Sequence, residues 1–250
     1  MPDVWPEAQP RLHHGGPVGA LVVHGFTGSP DTMRPLADAF VAAGFTVSVP
    51  RLPGHGTTLE DMDTTGWPEW SGEAERAYVE LAARCDKVVV AGLSMGGTLT
   101  CWLAERHAEI AGIVLINAAV LPYAPDSRAF IQAMLDAGDR FAPGVGADLA
   151  DPDATELAYD GSPLESLLTL FDAVGALQDA LPRITCPALV MQAPQDHVVD
   201  PKAADHVAGL LGGPVERVSL DRSYHVATLD FDKDLINERA VDFARKVTSG

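Results

Sequence analysis

Lys87-Val88-Val89-Val90-Ala91-Gly92-Leu93-Ser94-Met95-Gly96 leads from a branched apolar run, through a Gly-x-Ser-x-Gly string, into a segment where Leu99, Trp102 and Leu103 recur at helical spacing. The run reads as a strand buried on both faces and the segment beyond as a helix. A serine between them stands on a sharp strand-to-helix turn, where Gly92 and Gly96 let backbone and helix approach too closely for a side chain. Strings of this form recur by chance. The strand on one side and the helix on the other make Ser94 a candidate nucleophile.

The same alternation extends in both directions. Further short apolar runs lie at Ala20–His24, Thr46–Val49, Gly112–Asn117, Ala188–Gln192 and Glu216–Leu220, with helix-period segments between them. One such segment aligns Met33, Leu36, Phe40 and Val41, with Asp31 as its expected N-cap and Gly44 as a left-handed stop. Another, near the C-terminus, aligns Ile236, Ala240, Phe243 and Val247. Strands alternating with helices predict a doubly wound, mostly parallel α/β sheet. From about Val120 to Leu181 the alternation stops. Phe130, Met134 and Phe141 mark one apolar stripe there, and Leu164, Leu167, Leu168 and Phe171 another. Some sixty residues is too long for a plain crossover, so residues 120–181 are expected to form a cap on a core made of 1–119 and 182–250.

Composition narrows the function classes. The 250 residues suffice for one well-buried α/β domain, and 47% of them are hydrophobic. A formal net charge of −18 argues against a nucleic-acid partner, because phosphates are repelled over most of the surface. Cys85, Cys101 and Cys186 are odd in number and widely spaced, which fits neither a disulfide framework nor a metal site. Met1–Pro10 has no basic start followed by an apolar run, and Ile110–Leu121 is too short to span a bilayer, so the expectation is a cytoplasmic protein.

A serine hydroxyl needs a histidine to take its proton, and the histidine needs a carboxylate to fix its tautomer. On a sheet with this elbow the chain order is serine, acid, histidine, each after a strand. His24 and His55 precede Ser94. His13 and His14 lie in an irregular N-terminal segment, and His107 and His206 in helical patterns. His197 adjoins the acid itself, which leaves His225, shortly after the last strand, as the base. The loop after Ala188–Gln192 offers Asp196 and Asp200. Asp200 precedes Pro201 and a helical run and reads as an N-cap, so Asp196 is the preferred acid. The oxyanion donors expected are the N–H groups of Met95, after the nucleophile, and of Phe26, in the loop His24-Gly25-Phe26-Thr27-Gly28. Pro53-Gly54-His55-Gly56 reads as a structural turn.

Gly25-Phe26-Thr27-Gly28, Gly54-His55-Gly56, Gly92-Leu93-Ser94-Met95-Gly96-Gly97 and Ser223-Tyr224-His225-Val226-Ala227-Thr228-Leu229-Asp230 together resemble bacterial monoacylglycerol lipases and related carboxylesterases. Asp196-His197-Val198-Val199 and Asp153–Tyr159 are also similar to segments of the lipases, and the likeness runs from about Leu21 to Phe243. The elbow is generic, whereas the string around His225 is specific. The resemblance implies the α/β-hydrolase fold, with a helical cap inserted after the sixth strand. It also implies hydrolysis of glycerol monoesters of fatty acids without metal or organic cofactor. A mobile cap would offer an apolar face to lipid, with transient membrane-surface contact, and cover an acyl tunnel. Glu156, which the sequence alone makes an exposed helix residue, would bind a glycerol hydroxyl, as a carboxylate is suited to do. The nearest rival is a carboxylesterase for short soluble esters; a more distant one is a catalytically silent protein on the same fold. Oligomeric state is not legible.

Overall fold

The computed structural model describes residues 2–144 and 147–249. Its strands in chain order are β1 (Arg11–His13), β2 (Val18–Val23), β3 (Thr46–Val49), β4 (Lys87–Leu93), β5 (Gly112–Ile116), β6 (Phe141–Pro143), β7 (Gly161–Pro163), β8 (Ala188–Gln192) and β9 (Val215–Ser219). The helices are α1 (Arg34–Ala42), α2 (Leu59–Met62), α3 (Trp67–Ala82), α4 (Met95–Arg106), α5 (Pro125–Asp136), α6 (Leu164–Leu177), α7 (Lys202–Leu210) and α8 (Lys233–Thr248). Seven strands form one sheet in the order β1-β3-β2-β4-β5-β8-β9, parallel except for β1, which runs antiparallel to β3.

The continuous apolar runs are explained by a core on each face. Along β2, β4 and β5 successive side chains divide between the two layers, as a period of two requires. Leu21, Val90 and Leu115 join Tyr78 of α3, Leu99 of α4 and Leu170 of α6. Val22, Val89 and Val114 join Leu36 and Phe40 of α1 and Ile236 and Phe243 of α8. The strand ends that follow this packing, after β2, β4, β5, β8 and β9, all open on one edge of the sheet.

Several local expectations are corrected. Residues 120–181, expected to form a cap after the sixth strand, follow the fifth strand of the chain, because only one short strand, β1, precedes β2. That strand has no apolar run, since all three of its residues are exposed. Asp31 is not an N-cap: Ser29 caps a 3₁₀ turn over Pro30–Met33, and Asp31 pairs with Arg34 at 3.2 Å in the next turn. Gly44 does end α1 with φ +90°. Residues 120–181 are not wholly helical, because β6 and β7 pair there as a small antiparallel ribbon. The stripe read through Phe130 also fails. Phe130 is 67% exposed and Ile131 is the one buried residue of α5, whereas α6 buries Leu164, Leu170, Val174 and Leu177. Among the described residues, no helix is long and apolar enough to cross a membrane.

Candidate active site

Ser94 ends β4 and opens α4 with φ +55° and ψ −120°, a left-handed conformation costly to a residue with a side chain. The turn survives because its neighbours over-determine it. The Ser94 N–H donates to the carbonyl of Ile116, and the Ser94 carbonyl accepts from Gly97 and Ala119. A Cβ on Gly92 would lie 2.1 Å from the Gly96 carbonyl oxygen, and one on Gly96 would lie 2.2 Å from that of Val23. Both glycines are therefore sterically obligatory.

The loops after β8 and β9 bring Asp196 and His225 together: His225 Nδ1 lies 2.8 Å from Asp196 Oδ2, with both residues buried. Asp196 Oδ1 also accepts from the N–H groups of Val198 and Val199, each at 2.8 Å, so this carboxylate shapes its own loop as well as facing the imidazole. Asp200 is not the N-cap of α7, which is Pro201, but one residue earlier it accepts from Lys202 N–H at 2.9 Å as the helix begins. With Nδ1 bonded to Asp196, Nε2 is the His225 nitrogen left for the cavity that His225 lines together with Ser94.

That cavity encloses about 220 Å³. Gly25, Phe26 and Thr27 border it on the β2 side, and a Cβ at Gly25 would come 3.2 Å from the Ser94 Cβ, so this loop lies against the elbow. Among the described residues neither the Phe26 N–H nor the Met95 N–H, the latter at the first position of α4, donates to a backbone acceptor. Leu167, Leu170 and Phe171 of α6 supply an apolar wall, with Tyr123 stacked on Phe171 at 3.6 Å between ring centres.

Glu156 also lines the cavity, in an irregular loop and not on a helix. Tyr159 N–H bonds to the Thr27 carbonyl and Ser29 Oγ to that of Leu157, which turns Glu156 inward, where Thr32 Oγ1 donates to its Oε1 at 3.3 Å. Burial pushes its carboxyl upward against the opposing pull of the nearby His225 and the Thr32 hydrogen bond. His24 and His55 stack edge-on behind this loop. His24 Nδ1 faces the Gly25 carbonyl and Nε2 accepts from Leu52 N–H, and burial lowers its pKa to about 4. The Gly54-His55-Gly56 stretch is a turn with both glycines at positive φ.

Sequence reasoning missed three residues that hold the site. Asn117, at φ +43° after β5, donates to the carbonyls of Tyr224 and His225 and accepts from Ala193 N–H. Asp230 accepts four N–H groups, from Ala150, Asp151, Tyr224 and Phe231. Asp148 accepts from His197 and His225; burial opposes its ionisation, but these bonds outweigh it and hold its carboxyl below the usual range. The signal available for Asp230 was its place in the string after His225. Asn117 and Asp148 carried none.

A parallel sheet with a strained serine after a central strand, a histidine–carboxylate pair on the next strand ends and a cavity between them is the arrangement of an α/β hydrolase. The chain belongs to the alpha/beta hydrolase family, whose model matches residues 20–239. It is 48% identical to a thermostable monoacylglycerol lipase of Bacillus sp. (strain H-257), over 96% of this chain and 95% of that one. A carboxylesterase of Bacillus subtilis (strain 168) is 24% identical, over 96% and 97% respectively. Among solved structures, one from a study of two metagenome-derived lipolytic enzymes superposes with a TM-score of 0.93 and 42% identity, covering 98% of this chain and 100% of that chain.

Proposed function

We propose that this protein is a serine hydrolase of carboxylic esters, acting on monoacylglycerols to release glycerol and a free fatty acid through an acyl-enzyme on Ser94. One observation carries the reading: Ser94, the Asp196-bound His225 and the inward-turned Glu156 share a cavity that is also lined by the apolar Leu167, Leu170 and Phe171. A carboxylate beside the reacting centre suits a polar alcohol portion, and the α6 wall suits an acyl chain. The Bacillus relative named as a monoacylglycerol lipase supports the same choice.

In this reading, His225 Nε2 removes the Ser94 proton as Oγ attacks the ester carbonyl. The N–H groups of Phe26 and Met95 receive the oxyanion, and His225 then protonates the departing glycerol oxygen. Water activated by the same imidazole cleaves the acyl-enzyme. Asp196 orients the ring and fixes its tautomer. Glu156 accepts a glycerol hydroxyl, and residues 120–181 act as a cap that shields the chemistry from solvent. No metal or organic cofactor takes part. A cytoplasmic location belongs to the same proposal, supported by three free cysteines, which suit a reducing compartment.

A carboxylesterase for short soluble esters uses identical chemistry, so the test is a ratio. Hydrolysis of a medium-chain monoacylglycerol is compared with that of a simple short-chain ester, in the native protein and in Glu156→Ala. Preference for the monoacylglycerol, reduced about tenfold or more by the substitution, is the expected result, because a lost charged hydrogen bond is worth about 1.5–3 kcal/mol. An unchanged ratio removes Glu156 from glycerol binding, and a preference for the short ester selects the second reading.

A further inference from the structure

His225 stands on a loop between β9 and α8, and its peptide is gripped at both ends. Its carbonyl accepts from Asn117 Nδ2 at 2.8 Å, from the sheet side. Its N–H donates to Asp148 Oδ2 at 3.0 Å, from the stretch between β6 and β7. The same Asp148 oxygen accepts the N–H of His197 at 3.1 Å, and its other oxygen lies 2.8 Å from His197 Nδ1. The Asp148 carbonyl accepts from Val226 N–H at 3.1 Å. One cap-side residue therefore ties the residue after Asp196 to His225 and the residue after it, although it lies 49 positions from His197 and 77 from His225.

We infer that Asp148 is a positioning residue for ester hydrolysis, locking the Asp196 loop and the His225 loop in mutual register and making the imidazole's aim depend on the cap being seated. The inference rests on the reading of Ser94, Asp196 and His225 as the reacting groups. Asp148 lies outside that set and acts only on backbone and on His197, so it sets orientation and not substrate affinity. An imidazole carried on a loop with one anchor removed samples orientations in which Nε2 misses the serine proton. Misplacement on the ångström scale costs rate roughly up to a hundredfold. Asn117 holds the opposite side of the same peptide, so losing Asp148 loosens the loop without freeing it.

The test uses Asp148→Asn, which retains one acceptor, and Asp148→Ala, which retains none, with the exposed cap residue Asp139→Asn as control. Active sites are titrated to completion with a fluorophosphonate, so that misfolded molecules drop out of the count. The expected result is a kcat per titrated site lowered about tenfold in Asp148→Asn and up to about a hundredfold in Asp148→Ala, with KM within about threefold and Asp139→Asn unchanged. A kcat per site equal to the native value in both variants, or a loss confined to KM, overturns the inference. Ser94→Ala is measured alongside: if it keeps its activity, the underlying reading fails. If it is inactive while both Asp148 variants behave as native, only the positioning role fails.

Discussion

His24 illustrates at the scale of one residue how the site constrains stability. Its ring is wholly buried, one nitrogen facing the Gly25 carbonyl and the other accepting from Leu52, which leaves no room for a second proton. Burial lowers its pKa from 6.5 to about 4, and His55 beside it is held well below 6.5 by burial and by His24 itself. The unfolded chain thus binds protons that the fold refuses. The stability contributed is complete above pH about 6.5 and is lost as pH falls toward 4. At pH 5 the His24 contribution alone is down by about 2 kcal/mol, on the order of 5 °C in Tm for a chain this long. Thermal melts between pH 7.5 and 5, above the range where most carboxylates titrate, should show that fall, and His24→Asn should make it shallower, leaving the part due to His55. Glu156 works in the opposite sense. Its carboxyl, pushed upward by burial, accepts a glycerol hydroxyl more strongly when ionised, so KM for a monoacylglycerol should rise as pH falls toward and through a value above 4.5. Glu156→Gln should abolish that limb while leaving the short-ester KM flat.

At the scale of elements, two glycines make opposite predictions. Gly96 lies in the first turn of α4 against β2, where an added Cβ would meet the Val23 carbonyl oxygen at 2.2 Å. Backbone must move, so Gly96→Ala should cost about 3 kcal/mol or more and disable the elbow along with it. Gly72 lies inside α3 with open space around its would-be Cβ. Gly72→Ala should raise stability by about 0.5–1 kcal/mol with kcat unchanged, read by denaturant melts and steady-state kinetics. The elbow was legible because strand, turn and helix are contiguous and the steric demand falls on adjacent glycines. The core strands were legible because burial on both faces leaves an unbroken apolar run. β1 was not, since it is exposed and is held by pairing with β3. The loop holding Glu156 was misread as helix because hydrogen bonds from Tyr159 to Thr27 and from Ser29 to Leu157 override its local preference, and sequence spacing does not reveal such bonds. Asn117 and Asp148 escaped for the same reason: they act over 108 and 77 positions, and neither lies in a motif.

Across the whole molecule, the sheet works as a jig. Its parallel strands end on one edge, and β2, β4, β5, β8 and β9 deliver there, in turn, the candidate oxyanion loop, the serine, the Asn117 clamp, the carboxylate and the histidine, while the segment between β5 and β8 supplies the apolar wall and Glu156. The 35 acidic residues against 17 basic ones give an anionic exterior, consistent with a substrate that carries no phosphate. The central claim is that these distant residues form one proton-passing unit aimed at an ester. Mass spectrometry of the protein treated with a fluorophosphonate tests it most directly. One covalent adduct is expected, on Ser94, forming about a thousandfold more slowly, or slower still, in His225→Ala, since the unassisted hydroxyl is a weak nucleophile. A native protein that stays unlabelled, or one labelled at Ser94 just as fast without the imidazole, would contradict it.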